Sequence, residues 1–393
     1  MHIGQGYGYG MVRQHTRPGR ITLARWWCGV ALMCMLQAPC LAATPAVSFS
    51  TQELQQIAAL GPWPPALQRD PSNRVSGQPL AIELGRRLFR DPRMSPLGYI
   101  ACVTCHQPDR AFTDHKARAH GLADLPRNTP ALANLGQHHW FGWGGASDSL
   151  WMASIRAIVD AREFDGSAQS VVKLFVRDPE LAACYRQVFR SSPLARPQHT
   201  LVNVGKALAA FVETLVTTRT PFDDQRDALL AGMAATTPYP VAAQRGLKLF
   251  VGAAGCVSCH RGPNFSDGEF HPGLATADAG RLDDVAQLKA STLNQLGPHN
   301  DDPKRRRAAA TRQLNDVLRD QYRTPSLRNV ATSGPWLHDG SADGLLDAVR
   351  HQPPPSAALS PRQAQDLVAF LATLTDQLGE RRPWTSATLL PCP

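Results

Sequence analysis

The chain lacks several features that would place it in common protein classes. Beyond residue 43 it has no apolar run of the roughly 20 residues that a membrane-spanning helix needs. Few segments alternate apolar and polar residues as half-buried strands do. The net charge of +9 includes four arginines within the first 43 residues, so the remaining chain is only mildly basic at +5. These absences argue against an integral membrane protein, a strand-rich fold and a nucleic-acid-binding surface.

The beginning of the chain has the pattern of an export signal. A positively charged stretch from Met11 to Arg25 precedes an apolar core from Trp26 to Leu36, and Cys40-Leu41-Ala42 before Ala43 resembles a cleavage site with small residues. We therefore expect residues 1–43 to be a signal peptide, with Met11 as an alternative start. The remaining chain is expected in the periplasm, without a membrane anchor.

The sequence contains two copies of Cys-x-x-Cys-His, at Cys102-Val-Thr-Cys105-His106 and Cys256-Val-Ser-Cys259-His260. This spacing is the attachment signature of c-type haem, because two thiols one helical turn apart form thioethers and the adjacent imidazole binds the iron. We expect two covalently bound haem c groups, with His106 and His260 as proximal ligands. A thioredoxin-like pair or half a zinc site is the alternative, and the histidine present in both copies argues against it.

The segments that precede the two motifs are also similar. Gly85-Arg-Arg-Leu88-Phe89 precedes the first motif and Gly246-Leu-Lys-Leu249-Phe250 precedes the second, each as the end of an amphipathic helix. We therefore predict a mainly α fold of two cytochrome c-like haem domains with long loops. The N-terminal domain would cover residues 44–230 and the C-terminal domain residues 231–393.

Apolar spacing predicts helices over 149–159, 168–176, 202–217, 242–250 and 362–374. The polar segment 261–320 is expected to be a surface insertion with one or two helices, in which the basic run 304–307 forms a solvated face. Cys184 and Cys392 belong to neither the leader nor the motifs. They either form a disulfide, as an oxidising compartment allows, or remain a buried thiol and a tail residue.

The chain resembles the bacterial di-haem cytochrome c peroxidase and MauG-like family over nearly all of its length after the leader. The resemblance is carried by blocks around the two haem motifs: Phe112-Thr113-Asp114, Arg127-Asn128-Thr129-Pro130-Ala131-Leu132, Trp143 with Ser149-Leu150 and Glu163-Phe164, Tyr322-Arg323-Thr324-Pro325-Ser326-Leu327-Arg328-Asn329-Val330, and Gly334-Pro335-Trp336-Leu337-His338-Asp339-Gly340. In that family one haem reacts with peroxide and the other stores an electron. The resemblance implies the same division here, with the reactive haem in the N-terminal domain.

The resemblance also implies catalytic roles for two residues. Glu163 matches the family's distal glutamate, and a carboxyl over an apolar haem face would have a raised pKa suited to moving a peroxide proton. Trp143 matches the tryptophan that lies between the haems, where an indole can relay an electron or hold part of an oxidising equivalent. A helix-end glutamate and an ordinary core aromatic residue are the structural alternatives for these two positions.

Further ligands follow from the same resemblance. His120, with His115 as a competing candidate, matches the histidine that caps the N-terminal haem in the resting state. One calcium ion is implied between the haems, bound by Asn128 and the carbonyl oxygens of Ser333 and Pro335, since a hard cation prefers oxygen ligands. A surface histidine and a turn-capping asparagine are the alternatives here.

The chain departs from the family at several positions. Gly144-Gly145-Ala146 follows Trp143 where the family has Asp-Gly-Arg, and Ala153 occupies the position of the distal glutamine. Gln352 occupies the position of the Met or Tyr that ligates the second iron, with the neighbouring His351 as a substitute. A histidine ligand would lower the potential of that haem relative to methionine.

The function implied is a peroxidase that reduces hydrogen peroxide to water with electrons from a small cytochrome c or cupredoxin. Two alternatives stay open. One is a MauG-like oxidase that acts on a protein substrate, and the other is a di-haem electron carrier whose peroxide site has been lost. No nucleic-acid partner is expected, and a homodimer is compatible with the sequence.

Overall fold

The computed structural model describes residues 47–66, 68–233, 238–272, 280–315, 317–352 and 359–376. The expected signal peptide at 1–43, with its alternative start at Met11, lies outside the described residues. All described residues belong to one compact unit, Ala46–Pro393. Within the described ranges, no helix is both long and apolar enough to cross a membrane.

The described part of the chain is mainly helical, as predicted. Its α-helices are α1 (Thr51–Ala59), α2 (Pro79–Arg90), α3 (Cys102–Cys105), α4 (Leu150–Val159), α5 (Ala168–Arg177), α6 (Pro179–Phe189), α7 (Pro197–Val212), α8 (Pro221–Leu230), α9 (Val241–Val251), α10 (Gly280–Ala290), α11 (Ala308–Arg312), α12 (Leu345–Arg350) and α13 (Pro361–Ala372). Strands β1 (Phe270–Pro272) and β2 (Gln321–Arg323) form one short antiparallel ladder, with His271 opposite Tyr322.

All five helices predicted from apolar spacing are present, as α4, α5, α7, α9 and α13. The prediction for α7 was displaced: the helix begins at Pro197 and ends at Val212. Proline at the first helical position explains the earlier start, because a helix needs no N–H there. Every residue of α7 from Thr200 to Val212 is buried, which removes the one-sided pattern on which the prediction relied.

The similar segments before the two motifs occupy equivalent positions. Gly85 lies in α2 where that helix crosses α7, and a Cβ at Gly85 would collide with the carbonyl oxygen of Ala207. Gly246 lies in α9 where it crosses α13, and a Cβ there would collide with the carbonyl oxygen of Asp366. Each glycine therefore lets two helix backbones touch beside a Cys-x-x-Cys-His motif.

The apolar side chains form two buried clusters. The first combines residues of α2 and α4–α7 with Val285 and Leu288 of α10. The second combines residues of α9 and α13 with Ile57 and Phe222, which precede residue 230 in the chain. The division into domains at residue 230 stays a prediction, and the second cluster draws side chains from both sides of it.

The segment 261–320 contains α10 and α11, in agreement with the expectation of one or two helices. It is less superficial than expected, because Val285 and Leu288 are buried in the first cluster. The basic run 304–307 was expected to be solvated, but two of its members are partly buried. Arg307 pairs with Asp70 at 3.4 Å, and Arg305 donates to backbone carbonyls of residues 295–296. Cys184 in α6 is disulfide-bonded, whereas Cys392 lies outside the described residues.

Candidate functional site

The first Cys-x-x-Cys-His motif forms a single helical turn, α3, and His106 is the residue that caps its end. The backbone N–H of His106 donates to the carbonyl oxygen of Cys102 at 2.9 Å, so the turn carries the imidazole directly after the two thiols. The Nδ1 atom of His106 lies 3.0 Å from the carbonyl oxygen of Phe112. An oxygen can only accept, so Nδ1 carries the proton and Nε2 remains available as a metal ligand.

The second motif repeats this geometry. The N–H of His260 donates to the carbonyl oxygen of Cys256 at 2.9 Å, and its Nδ1 lies 3.0 Å from the carbonyl oxygen of Phe265. Phe112 and Phe265 both have left-handed backbones, with φ values of 59° and 52°. This conformation turns each carbonyl back onto its histidine, so the chain orients both imidazoles by the same device.

Three of the four motif thiols have raised pKa values. Burial raises the pKa of Cys102 to about 12 and the pKa values of Cys105 and Cys256 to about 11. A thioredoxin-like pair depends on a thiol whose pKa is lowered, and a zinc site on thiolates. The surroundings therefore disfavour both alternatives and suit thiols that are consumed in thioether bonds.

A largely apolar cavity of about 320 Å³ adjoins the second motif. Residues from both halves of the chain line it, among them Cys256, Cys259, His260, Trp143 and Gln352. Apolar walls with two thiols and one imidazole are what a covalently attached porphyrin needs. The side chains present therefore fit a haem c at this motif.

One wall of this cavity holds a buried cation that sequence reasoning did not identify as a functional residue. Arg323 is 7% exposed, makes no ion pair with any described residue, and its Nε has no hydrogen-bond partner there. Burial lowers its pKa to about 10. Its Nη1 lies 3.2 Å from Nδ1 of the buried His138, whose pKa is also lowered by burial. An anionic group such as a haem propionate would compensate this charge.

Glu163 lies beside the first motif, on the turn that follows α4. Its charge is close enough to the thiols of Cys102 and Cys105 to raise their pKa values. Burial raises the pKa of Glu163 itself to about 7, the charge of Asp160 adds to the shift, and nearby arginines oppose it. A carboxyl that titrates near neutral pH next to a cofactor motif is suited to proton transfer.

The segment that carries His120 packs directly against the Glu163 turn. The N–H of Leu122 donates to the carbonyl oxygen of Glu163 at 3.3 Å, and the carbonyl oxygen of His120 lies 3.7 Å from Sγ of Cys105.

The imidazole of His120 is about half exposed and pairs through Nδ1 with Asp124 at 2.6 Å. The competing candidate His115 contacts the carbonyl oxygen of Thr332 instead, at 3.0 Å. The fold thus brings the backbone of His120 against the first motif, and its role as an iron ligand stays a prediction.

Trp143 lines the cavity of the second motif and is held at both its side chain and its backbone. Its indole N–H donates to the carbonyl oxygen of Asn128 at 2.9 Å, and its own carbonyl accepts from the N–H of Arg323 at 2.9 Å. The side-chain amide of Asn128 donates to the carbonyl oxygen of Lys116 at 2.8 Å. Asn128, Ser333 and Pro335 all line this cavity, and the calcium site that they would form stays a prediction.

The two candidates for the sixth ligand of the second iron differ in position. Gln352 lines the cavity, and its Nε2 donates to the carbonyl oxygen of Ala348 at 3.0 Å. His351 is exposed, and its Nδ1 bonds back to the carbonyl oxygen of Asp347 at 2.7 Å. The geometry favours Gln352 over His351, because the end of α12 turns the histidine towards solvent. The ligand itself stays a prediction.

Comparison with known proteins places these features in context. A family model described as "Di-haem cytochrome c peroxidase" matches residues 79–228. The chain is 33% identical to the methylamine utilization protein MauG of Methylorubrum extorquens over 347 residues, which cover 85% of this chain and 88% of that protein. It is 30% identical to the cytochrome c551 peroxidase of Pseudomonas aeruginosa over 356 residues, covering 88% and 93%.

A solved structure is also similar to this chain. It is the crystal structure of a MauG-like protein associated with microbial copper homeostasis, with a TM-score of 0.61 and 26% sequence identity. The match covers 83% of this chain and 97% of the other.

Proposed function

Since the chain belongs to the family of di-haem cytochrome c peroxidases and MauG proteins, we propose that it reduces hydrogen peroxide to water. Membership makes it an oxidoreductase and implies two haem c groups, which supply the redox chemistry when bound. The reaction consumes one peroxide, two protons and two electrons and forms two water molecules. The carboxyl of Glu163 carries the proposal, because it titrates near pH 7 beside the first motif.

Glu163 would move the proton that the reaction must relocate. Peroxide loses a proton as it binds, and the departing oxygen must gain one before it leaves. A carboxyl with the ordinary pKa of glutamic acid would be a poor donor at neutral pH. Because the pKa of Glu163 is raised to about 7, the same side chain is able to accept the first proton and return it.

We assign peroxide reduction to the first motif and electron storage to the second. Glu163 and the His120 segment both lie against the first motif, where Cys102, Cys105 and His106 would hold a haem. The second motif instead opens onto an apolar cavity lined by Gln352, and Cys256, Cys259 and His260 would hold the other haem there. His120 would cap the reactive haem in the resting state.

Trp143 and the calcium ligands would connect the two centres. Trp143 lines the cavity of the second motif, and its indole N–H donates to the carbonyl oxygen of Asn128. We propose that it relays electrons between the haems. One calcium ion bound by Asn128, Ser333 and Pro335 would neutralise part of the negative charge of nearby carbonyl oxygens and haem propionates.

The remaining proposals concern location, domains and partners. We propose that the protein is periplasmic after removal of residues 1–43. We also propose haem domains over 44–230 and 231–393, each of which contains one of the two helix pairs that cross at a glycine. A small cytochrome c or a cupredoxin would supply the electrons. A relative named as a peroxidase of cytochrome c551 supports the first of these donors. A homodimer stays a proposal.

A MauG-like oxidase of a protein substrate is the second candidate. Gln352 in place of methionine favours it, because loss of that ligand changes how readily the second haem accepts an electron. The 33% identity to a MauG protein is consistent with it. The non-enzymatic carrier is set aside, because the family consists of oxidoreductases.

Steady-state turnover of the haem-loaded protein separates these candidates. The protein is given hydrogen peroxide and a reduced small cytochrome c, and oxidation of the cytochrome is followed by its absorbance. A peroxidase oxidises two equivalents of cytochrome for each peroxide consumed. Peroxide consumption without cytochrome oxidation favours the protein oxidase, and a protein that consumes no peroxide would overturn both.

A further inference from the structure

The residues that follow Trp143 lie directly beneath helix α10. A Cβ at Gly144 would collide with the carboxylate of Asp284, and it would lie 3.2 Å from the Cα of Arg281. Gly145 has a left-handed backbone with φ of 79°, and a Cβ there would lie 2.5 Å from the ring of Phe270 and 2.9 Å from the guanidinium of Arg281. Glycine at position 144 leaves room for the carboxylate of Asp284, and the left-handed backbone at position 145 favours glycine.

Two charged residues of α10 bind this loop and its neighbour. Arg281, which is 4% exposed, donates from Nη1 to the carbonyl oxygen of Gly144 at 2.7 Å and stacks on Phe270 at 3.2 Å from the ring centroid. Asp284, which is 9% exposed, forms an ion pair with Arg127. The guanidinium of Arg127 also donates to the carbonyl oxygen of Gly280, at the start of the same helix, at 3.0 Å.

These contacts hold Trp143 from both sides. Arg127 precedes Asn128, whose carbonyl oxygen accepts the indole N–H of Trp143 at 2.9 Å. Gly144 follows Trp143, and Arg281 bonds its carbonyl. The ion pair with Asp284 therefore fixes the peptide that orients the indole, while Arg281 fixes the backbone on the other side.

We propose that Asp284 and Arg281 of helix α10 are positioning residues that hold the Trp143 loop. The loop itself has Gly144, Gly145 and Ala146 after Trp143 and carries no charge. Helix α10 supplies a positive and a negative side chain from a segment about 140 residues further along the chain. The carboxylate of Asp284 occupies the space that a side chain at position 144 would enter. The functional consequence rests on the proposed role of Trp143 between the haems.

An exchange of charges tests the proposal in the haem-loaded protein. The variants are Asp284→Asn, Gly144→Asp, the double variant Gly144→Asp/Asp284→Ala, and Asp283→Ala as a matched control on the exposed side of α10. Hydrogen exchange of the peptide over residues 140–150 measures how firmly the loop is held. Flash reduction followed at the absorption of each haem measures electron transfer between them.

We expect Asp284→Asn to speed exchange of the loop amides and to slow transfer between the haems by about tenfold or more, since small misplacements at an active site have large effects on rate. Gly144→Asp alone should do the same, because two carboxylates then meet in one space. The double variant should restore both readouts, since the carboxylate at position 144 reaches Arg127. Asp283→Ala should change neither.

The proposal is overturned if Asp284→Asn leaves loop exchange and electron transfer unchanged, as Asp283→Ala should. It is also overturned if the double variant is as impaired in both readouts as the two single variants. Trp143→Phe separates this inference from the function proposed for Trp143. If that variant transfers electrons at the normal rate, the relay role is wrong. The loop exchange data then still support or refute the positioning role of Asp284 by the same criteria.

Discussion

Replacement of Glu163 by glutamine is the most direct test of the proposed chemistry. The amide has the same shape but cannot accept the peroxide proton, and it lacks the titration near neutral pH. General acid–base catalysis typically contributes about 10²- to 10⁴-fold to a rate. We therefore expect kcat/KM for hydrogen peroxide to fall by at least about 10²-fold in Glu163→Gln.

The pH dependence of the wild-type protein provides a second test of the role of Glu163. Free enzyme must hold the carboxylate to accept the first proton, so kcat/KM should follow the ionised fraction of Glu163. With a pKa of about 7, that fraction rises from about one tenth at pH 6 to about nine tenths at pH 8. Wild-type kcat/KM should therefore increase by nearly tenfold over this range, whereas a glutamate with its ordinary pKa would give a flat profile.

Stopped-flow mixing of the haem-loaded protein with peroxide, between pH 5.5 and 8.5, measures both quantities. Glu180→Gln on α6 is a matched control, because that glutamate is exposed and its replacement should leave the rate and the profile unchanged. The reasoning is refuted if Glu163→Gln reacts at the wild-type rate. It is also refuted if the variant keeps the wild-type rise between pH 6 and 8.

Three further variants test other residues. The pKa of Glu213 is raised by burial from 4.5 to about 7, so its ionisation opposes folding above about pH 4.5; Glu213→Gln should be more stable by up to about 3 kcal/mol above pH 7 and no more stable below pH 4.5, as measured by denaturation. Gln352→Met should raise the reduction potential of the second haem, as measured by spectroelectrochemistry. His120→Ala should make the first haem high-spin in the oxidised protein without prior reduction, as seen in its absorption spectrum.

Each of these variants has an outcome that contradicts its premise. A stability gain for Glu213→Gln that is equal at pH 4 and pH 8 would show that ionisation of this carboxyl does not oppose folding. An unchanged potential in Gln352→Met would mean that residue 352 does not reach the second iron. An unchanged resting spectrum in His120→Ala would exclude His120 as a ligand. The matched control is Asp124→Ala, which keeps the imidazole of His120 but removes its hydrogen-bond partner at 2.6 Å.

The sequence by itself determined the features that depend on spacing along the chain. Two thiols and an imidazole at positions i, i+3 and i+4 meet within one helical turn, so the Cys102 and Cys256 motifs and their histidines could be predicted without a fold. The helices with a one-sided apolar pattern were equally accessible. The equivalence of Gly85 and Gly246 was visible as a repeated segment, and the structure shows its reason in two close helix crossings.

Only the tertiary structure decided the features that depend on which distant segments meet. His138 contacts Asn264 and Arg323, which lie 126 and 185 residues further along the chain, so no local pattern could indicate this buried polar group. The choice of Gln352 over His351 at the cavity depends on how α12 ends. In the sequence, the glycines after Trp143 indicate only a loop without charge. The structure shows that charged residues of α10 lie against this loop. Local geometry follows from neighbours in sequence, whereas burial, pKa shifts and compensating charges follow from contacts that the folded chain alone creates.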